Sequence, residues 1–158
     1  FAGVEPHRMG IAPAFAVPSR GINTKKARAL LPNDVPRETA IAQASRAAAL
    51  VLGLERGDPA LIGFGMEDQL AVPHRRGLIP GYDAAARAGM AAGAFGVTIS
   101  GAGSALLAFG PKNQAGAIAR AMADGFTLAG NSATPLAPKV VMKGLTEQRE
   151  KGRGKREK

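Results

Sequence analysis

The chain is 158 residues long, enough for one domain with extensions, and its 46% apolar content is that of an ordinary globular protein. It contains no cysteine, which excludes disulfides, cysteine-ligated zinc and thiol catalysis and is compatible with a reducing cytoplasm. The net charge is +9, but Thr146–Lys158 supplies +3 of it and the remainder is scattered, without interleaved aromatics to stack bases, so nucleic acid is not the expected partner. A small polyanionic ligand accounts for such a distribution equally well. No apolar run nears the ~18 residues of a membrane span, so no membrane is expected either. The chain opens Phe1-Ala2-Gly3, with no initiator Met and no signal-peptide pattern, which reads as a fragment or a processed product.

From Met9 to Val17 the residues are apolar but for one Pro, a strand placed at or near an edge because Pro13 cannot donate to a ladder. Pro18–Gly21 is a turn. Asn23 or Thr24 then caps a short helix over Lys25–Leu31 that Pro32 stops. Glu38 to about Leu54 is a helix rich in Ala and Leu. Asp58-Pro59 is an N-cap with Pro at the first helical position, and the spacing predicts a helix to about Leu70. Pro73–Gly77 is expected to be a loop, and Tyr82–Ala92 a further helix. Phe95–Ser100 and Ala105–Phe109 read as two strands joined by Gly101-Ala102-Gly103-Ser104. Pro111 begins a helix reaching Ala129, and Pro138–Met142 is a last short strand. This order of strand, helices, strand, strand, helix, strand predicts an α+β fold. Its plan is a ferredoxin-like antiparallel sheet with helices on one face and extra helices in the first crossover. Residues 1–145 form the domain; 146–158 carry no apolar residue and are expected to be a disordered basic tail.

Three segments have chemical potential. In Ser100-Gly101-Ala102-Gly103-Ser104, two glycines let backbone N–H groups converge on an oxyanion, although an unliganded hairpin has the same composition. Thr24 and Arg28 are four apart and share a helix face, where a hydroxyl and a guanidinium can grip a carboxylate or phosphate. Arg75 and Arg76 lie in a stiff Pro/Gly-bounded segment suited to bidentate carboxylate recognition. Near them, Asp68 is placed to orient an arginine, and Gln43 and Arg46, three apart on a helix, are polar residues able to line a site or face solvent. His74 has no partner pattern for catalysis, and neither a serine-histidine-aspartate set nor a metal-ligand spacing occurs.

In order, the segments resemble a known family. Asn23–Pro32 resembles the T-K-x-A-R-x-x-L-P segment of homoserine kinases, and Asp68–Gly81 their D-x-L-x-x-P-x-R-x-x-L-I-P-G segment. Gly93–Gly103 resembles G-A-x-G-x-T-x-S-G-x-G, the third motif of the wider GHMP kinase superfamily. The likeness runs from about Met9 to Gly144, with Gln43, Ala71 and Ser104 departing from the common Asn, His and Pro. It implies ATP- and Mg2+-dependent phosphorylation of the side-chain hydroxyl of L-homoserine, on the route to threonine, by a cytoplasmic enzyme that is a homodimer when complete. Thr24, Arg28 and Arg75 would bind the amino acid, and residues 100–104 would lie by the phosphates. The family's P-x-x-x-G-L-G-S-S-A-A loop and its magnesium-binding acidic residue have no counterpart here. No catalytic residue is therefore assigned to this half, which is expected to be inactive alone. Another small-molecule kinase of the superfamily, or a non-catalytic binding module of this type, remains an alternative.

Overall fold

A computed structural model describes residues 9–140; the 146–158 segment and the end of the expected last strand lie outside them. The elements are β1 (Ile11–Pro18), α1 (Thr24–Ala29), α2 (Arg37–Arg56), α3 (Pro59–Met66), α4 (Val72–Arg75), α5 (Tyr82–Ala91), β2 (Gly96–Ile99), β3 (Leu106–Pro111), α6 (Ala115–Leu128) and β4 (Ala133–Leu136). The strands form one antiparallel sheet in the order β2-β3-β1-β4. That is the ferredoxin-like order, with α1 to α5 filling the first crossover.

Strand β1 is central, not at an edge, and Pro13 explains itself locally. The Lys112 N–H donates to the Gly10 carbonyl, and the Ser19 N–H donates to Ser132 on the other side. Even-numbered residues of β1 therefore bond β3 and odd-numbered ones face β4. β4 pairs only from Phe15 onward, so the nitrogen of Pro13 points where no strand lies.

The same alternation sorts the side chains. Ala14 and Ala16 of β1 with Leu106 and Ala108 of β3 turn to one face, where Ile118, Met122 and Phe126 of α6 and Ala85 of α5 bury them. Each large side chain there contributes about 1.5–3 kcal/mol. Small residues on the strands bring α6 close, and Gly125 does the same between helices: a Cβ there would meet the Ala85 Cα at 2.7 Å. Ile11 points to the opposite face and packs on Ile62 and Met66 of α3, with Leu107 and Phe109 beside them. α2 and α3 thus form a second, smaller layer on the other face, so helices cover both faces of the sheet and not the one expected from the sequence.

Several boundaries differ from the sequence expectation. α3 stops at Met66 because the next three residues are engaged by side chains, as described below. Pro73–Gly77 is not a loop but the one-turn α4 followed by a 3-10 turn over Arg76–Leu78; Pro73 sits in the first turn, where its missing N–H costs nothing. Pro111 ends β3 instead of opening α6, and a turn closed by Gln114 N–H to the Pro111 carbonyl (2.8 Å) separates them. The last strand is Ala133–Leu136, and residues 138–140 are not in a strand.

Candidate active site

The site is built around Arg75. It stands at the end of α4, only 6% exposed. Its Nε donates to the Ala27 carbonyl at 3.1 Å, and its Nη1 reaches the Gly101 carbonyl at 3.4 Å. One guanidinium thereby ties α1 to the β2–β3 turn, segments far apart in sequence. Five N–H groups belong to a guanidinium, so donors remain after these two bonds.

On α1 the cap is Asn23, whose Oδ1 accepts from the Lys25 and Lys26 N–H groups at 2.9 and 3.1 Å. Thr24 is thereby released from capping. It is exposed at the first helical position, and Arg28 is exposed next to the Ala27 that Arg75 holds. The β2–β3 turn is closed by the Ser100 N–H donating to Ala105 at 2.8 Å. Among the described residues, no backbone hydrogen bond uses the N–H groups of Gly101, Ala102, Gly103 or Ser104. Gly101 has φ +62°, and a Cβ there would meet open space, so no neighbouring atom crowds the turn at that residue. Ser104 is buried at its foot. His74 and Arg76 are exposed.

Asp68, Gln43 and Arg46 take other places. Asp68 orients no arginine directly; its Oδ1 accepts from the Leu70 and Ala71 N–H groups, both at 2.7 Å. Gln43 Oε1 accepts from the Gln69 N–H at 3.0 Å. Arg46 is buried, stacked 4.6 Å from the Phe64 ring centroid, and donates to Glu67 at 3.0 Å. These three residues bind chain, and none is placed against the Arg75 guanidinium. Tyr82, buried at the start of α5, has its hydroxyl pushed above the ordinary tyrosine value, chiefly by burial and then by the charge of Asp83; Asp68 adds to the rise and Arg76 opposes it.

Asn131 was not singled out from sequence. It is 1% exposed. Its Nδ2 donates to the Pro80 carbonyl at 3.0 Å, while Oδ1 accepts from the Arg20 N–H at 3.2 Å. It fixes the turn after β1 to the segment leading into α5. Among the described residues no group of three His, Cys, Asp or Glu could hold a metal, and no helix is long and apolar enough to cross a membrane.

The family model described as "GHMP kinases C terminal" matches residues 48–128, just over half of the chain. The chain belongs to the GHMP kinases. Within them, it is 43% identical over 114 residues to a homoserine kinase of Natronomonas pharaonis, covering 72% of this chain and 39% of that protein. A homoserine kinase of Nostoc sp. is 39% identical over 128 residues, covering 81% and 43%. The crystal structure of a homoserine kinase from Cytophaga hutchinsonii superposes with a TM-score of 0.78 at 33% identity, over 84% of this chain and 42% of that one. The chain thus spans about two fifths of the length of these GHMP kinases, and the matched region includes Arg75 and the β2–β3 turn.

Proposed function

We propose that the chain is the substrate-side, C-terminal part of a homoserine kinase, transferring the terminal phosphoryl group of ATP to the side-chain hydroxyl of L-homoserine in the cytoplasm, on the way to threonine. The observation that carries this reading is the position of Arg75. A buried guanidinium joins α1 to the glycine turn and keeps donors in reserve, as a carboxylate anchor beside a phosphate-binding turn requires. Arg28 adds a second, exposed guanidinium, and Thr24 a neutral hydroxyl, for the carboxylate and amine end of the amino acid.

Phosphoryl transfer depends on positioning and on electrostatic stabilisation of the phosphates. ATP supplies the phosphoryl group. The free N–H groups of 101–104 fit a phosphate oxygen and would stabilise charge there without reorganising. The described residues contain no cluster of three His, Cys, Asp or Glu that could hold a metal; the magnesium-binding carboxylate is assigned to the remainder of a complete enzyme, and no residue of this chain is given that task. The complete enzyme is proposed to be a homodimer, and residues 146–158 to be an appendage to the domain that ends near 145.

The test is a chimera joining this chain to the N-terminal part of the Nostoc enzyme, assayed for ADP release with L-homoserine, L-serine and other hydroxylated acids. Preferred use of homoserine is expected. Preference for another acceptor would reassign the chain to a different GHMP kinase, and homoserine binding without turnover would support a binding module. The 158-residue chain alone is expected to show no turnover; a rate of about 1–100 per second, usual for kinases, would overturn its reading as a partial enzyme.

A further inference from the structure

Residues 67, 68 and 69 are three in a row, and a side-chain hydrogen bond engages each. Arg46 on α2 donates to the Glu67 carboxylate at 3.0 Å, and Gln43, one turn earlier on α2, accepts from the Gln69 N–H at 3.0 Å. The Asp68 carboxylate turns back on the chain and accepts from Leu70 and Ala71, both at 2.7 Å. The next element is α4, four residues long, with Arg75 its last.

A single helical turn has almost no stability of its own, because nucleation fixes several residues for one hydrogen bond. α4 also lacks a side-chain cap at its own N-cap, Ala71. Its direction is therefore set by how the chain enters it and by Arg75 at its exit. The entry is anchored to α2, a 20-residue helix held tightly against α3: a Cβ on Gly65 would lie 2.5 Å from the Leu50 nitrogen.

From this we infer that Gln43, Arg46 and Asp68 are positioning residues that set the direction of α4 and so aim the Arg75 guanidinium at the carboxylate of the amino-acid substrate. The inference rests on the proposed function for the substrate, but not for the clamp. In this arrangement Asp68 acts through its acceptor oxygen, not through its charge.

Two readouts test it. In nitrogen–proton spectra of the 158-residue chain, the Arg75 Nε–H signal, assigned by its loss in Arg75→Lys, should exchange slowly because it is buried on the Ala27 carbonyl. Asp68→Ala should speed that exchange about tenfold, and in the chimera raise the homoserine KM about tenfold, the scale on which a misaimed Arg75 would lose its own charge-assisted bond to the substrate carboxylate. The KM for ATP should stay within about twofold. Asp68→Asn keeps an acceptor oxygen and should restore both readouts to within about threefold of wild type. Gln43→Ala, which removes a single half-buried contact, should move both in the same direction by less, and it stands in should Asp68→Ala not fold. Unchanged Arg75 exchange in Asp68→Ala or Gln43→Ala would overturn the inference, as would failure of Asp68→Asn to rescue or an equal rise of both KM values. If the wild-type chimera ignores homoserine, the functional reading falls while the Arg75 signal still decides the clamp.

Discussion

Two arginines are buried among the described residues, and they are buried differently. Arg46 faces a carboxylate and a ring. Its partner Glu67 is 63% exposed, its plane lies over Phe64, and its Nε has no acceptor. Arg75 faces carbonyls, those of Ala27 and Gly101, and has no carboxylate partner among the described residues. The charge of Arg46 is neutralised within the fold, so that region has no electrostatic need for a ligand. The charge of Arg75 is not, because two carbonyl dipoles satisfy hydrogen bonds without cancelling a full charge. A buried cation without an anion can accept one, and under the proposed function that anion is the substrate carboxylate.

The contrast breaks most readily at Arg75. Arg75→Ala in the chimera is expected to raise the homoserine KM by roughly ten- to a hundredfold, equivalent to the 1.5–3 kcal/mol of a charge-assisted hydrogen bond, with the ATP KM unchanged. It should also lower the melting temperature of the chain, since Ala27 and Gly101 lose their bridge. Arg28→Ala should match the affinity loss without the melting change, because Arg28 is exposed. Arg76→Ala, also exposed and unbonded to either segment, should do neither. Equal damage from Arg76 and Arg75 in steady-state kinetics would place the carboxylate elsewhere.

Arg46 should behave in the opposite way. Arg46→Ala removes packing on Phe64 and leaves a void, at a cost of about 1–3 kcal/mol read as a drop in denaturation midpoint. Arg46→Met fills the same space and removes the orphan Nε, so most of that loss should be recovered. Glu67→Ala should cost under about 1 kcal/mol, because its carboxylate is solvent-screened. A Met variant as unstable as the Ala variant would mean that the ion pair, not the packing, holds this region. On the substrate side, Thr24→Ala should weaken homoserine use only about two- to tenfold, the scale of a neutral hydrogen bond of 0.5–1.5 kcal/mol.

Much of this was legible in the sequence because the signals were local. Two apolar, β-rich runs around a glycine turn marked β2 and β3, Asp58-Pro59 marked the start of α3, and the strand-helix order gave the sheet its class. What was not legible depended on tertiary context. Pro135 and its two exposed neighbours disguise β4, yet the strand is possible because only its odd nitrogens face solvent while Thr134 and Leu136 pair with β1. Pro13 suggested an edge, but the ladder is merely one-sided at that residue. α4 was hidden by Pro73 and Gly77, since one turn held from outside leaves no periodicity. Arg75 was singled out from sequence as an anion-binding candidate; Gln43 binds backbone 26 residues away, which no local signal reveals, while Asp68 makes a local turn to Leu70 and Ala71 instead of the arginine contact expected of it. Asn131 had no sequence signal at all.

The smallest expected effect joins the two regions through Tyr82. Burial holds its hydroxyl protonated above the ordinary tyrosine value, with Asp83 and Asp68 adding to the rise and Arg76 opposing it. The sign follows from linkage. Folding favours the neutral phenol, so this contribution to stability is complete below the unfolded value of about 10 and is lost as pH rises through the folded one. Tyr82→Phe should therefore melt like wild type at neutral pH and resist alkali better. The titration is readable directly, because the chain has one tyrosine and no tryptophan, so its phenolate absorbance belongs to Tyr82 alone. Asp68→Asn should lower the midpoint slightly, by removing one of the lesser negative charges, and Arg76→Ala should raise it. A midpoint at the ordinary tyrosine value would show that the start of α5 is open to water. A midpoint insensitive to Asp68 would show that the carboxylate, though bonded to the entry of α4, is electrically remote from α5.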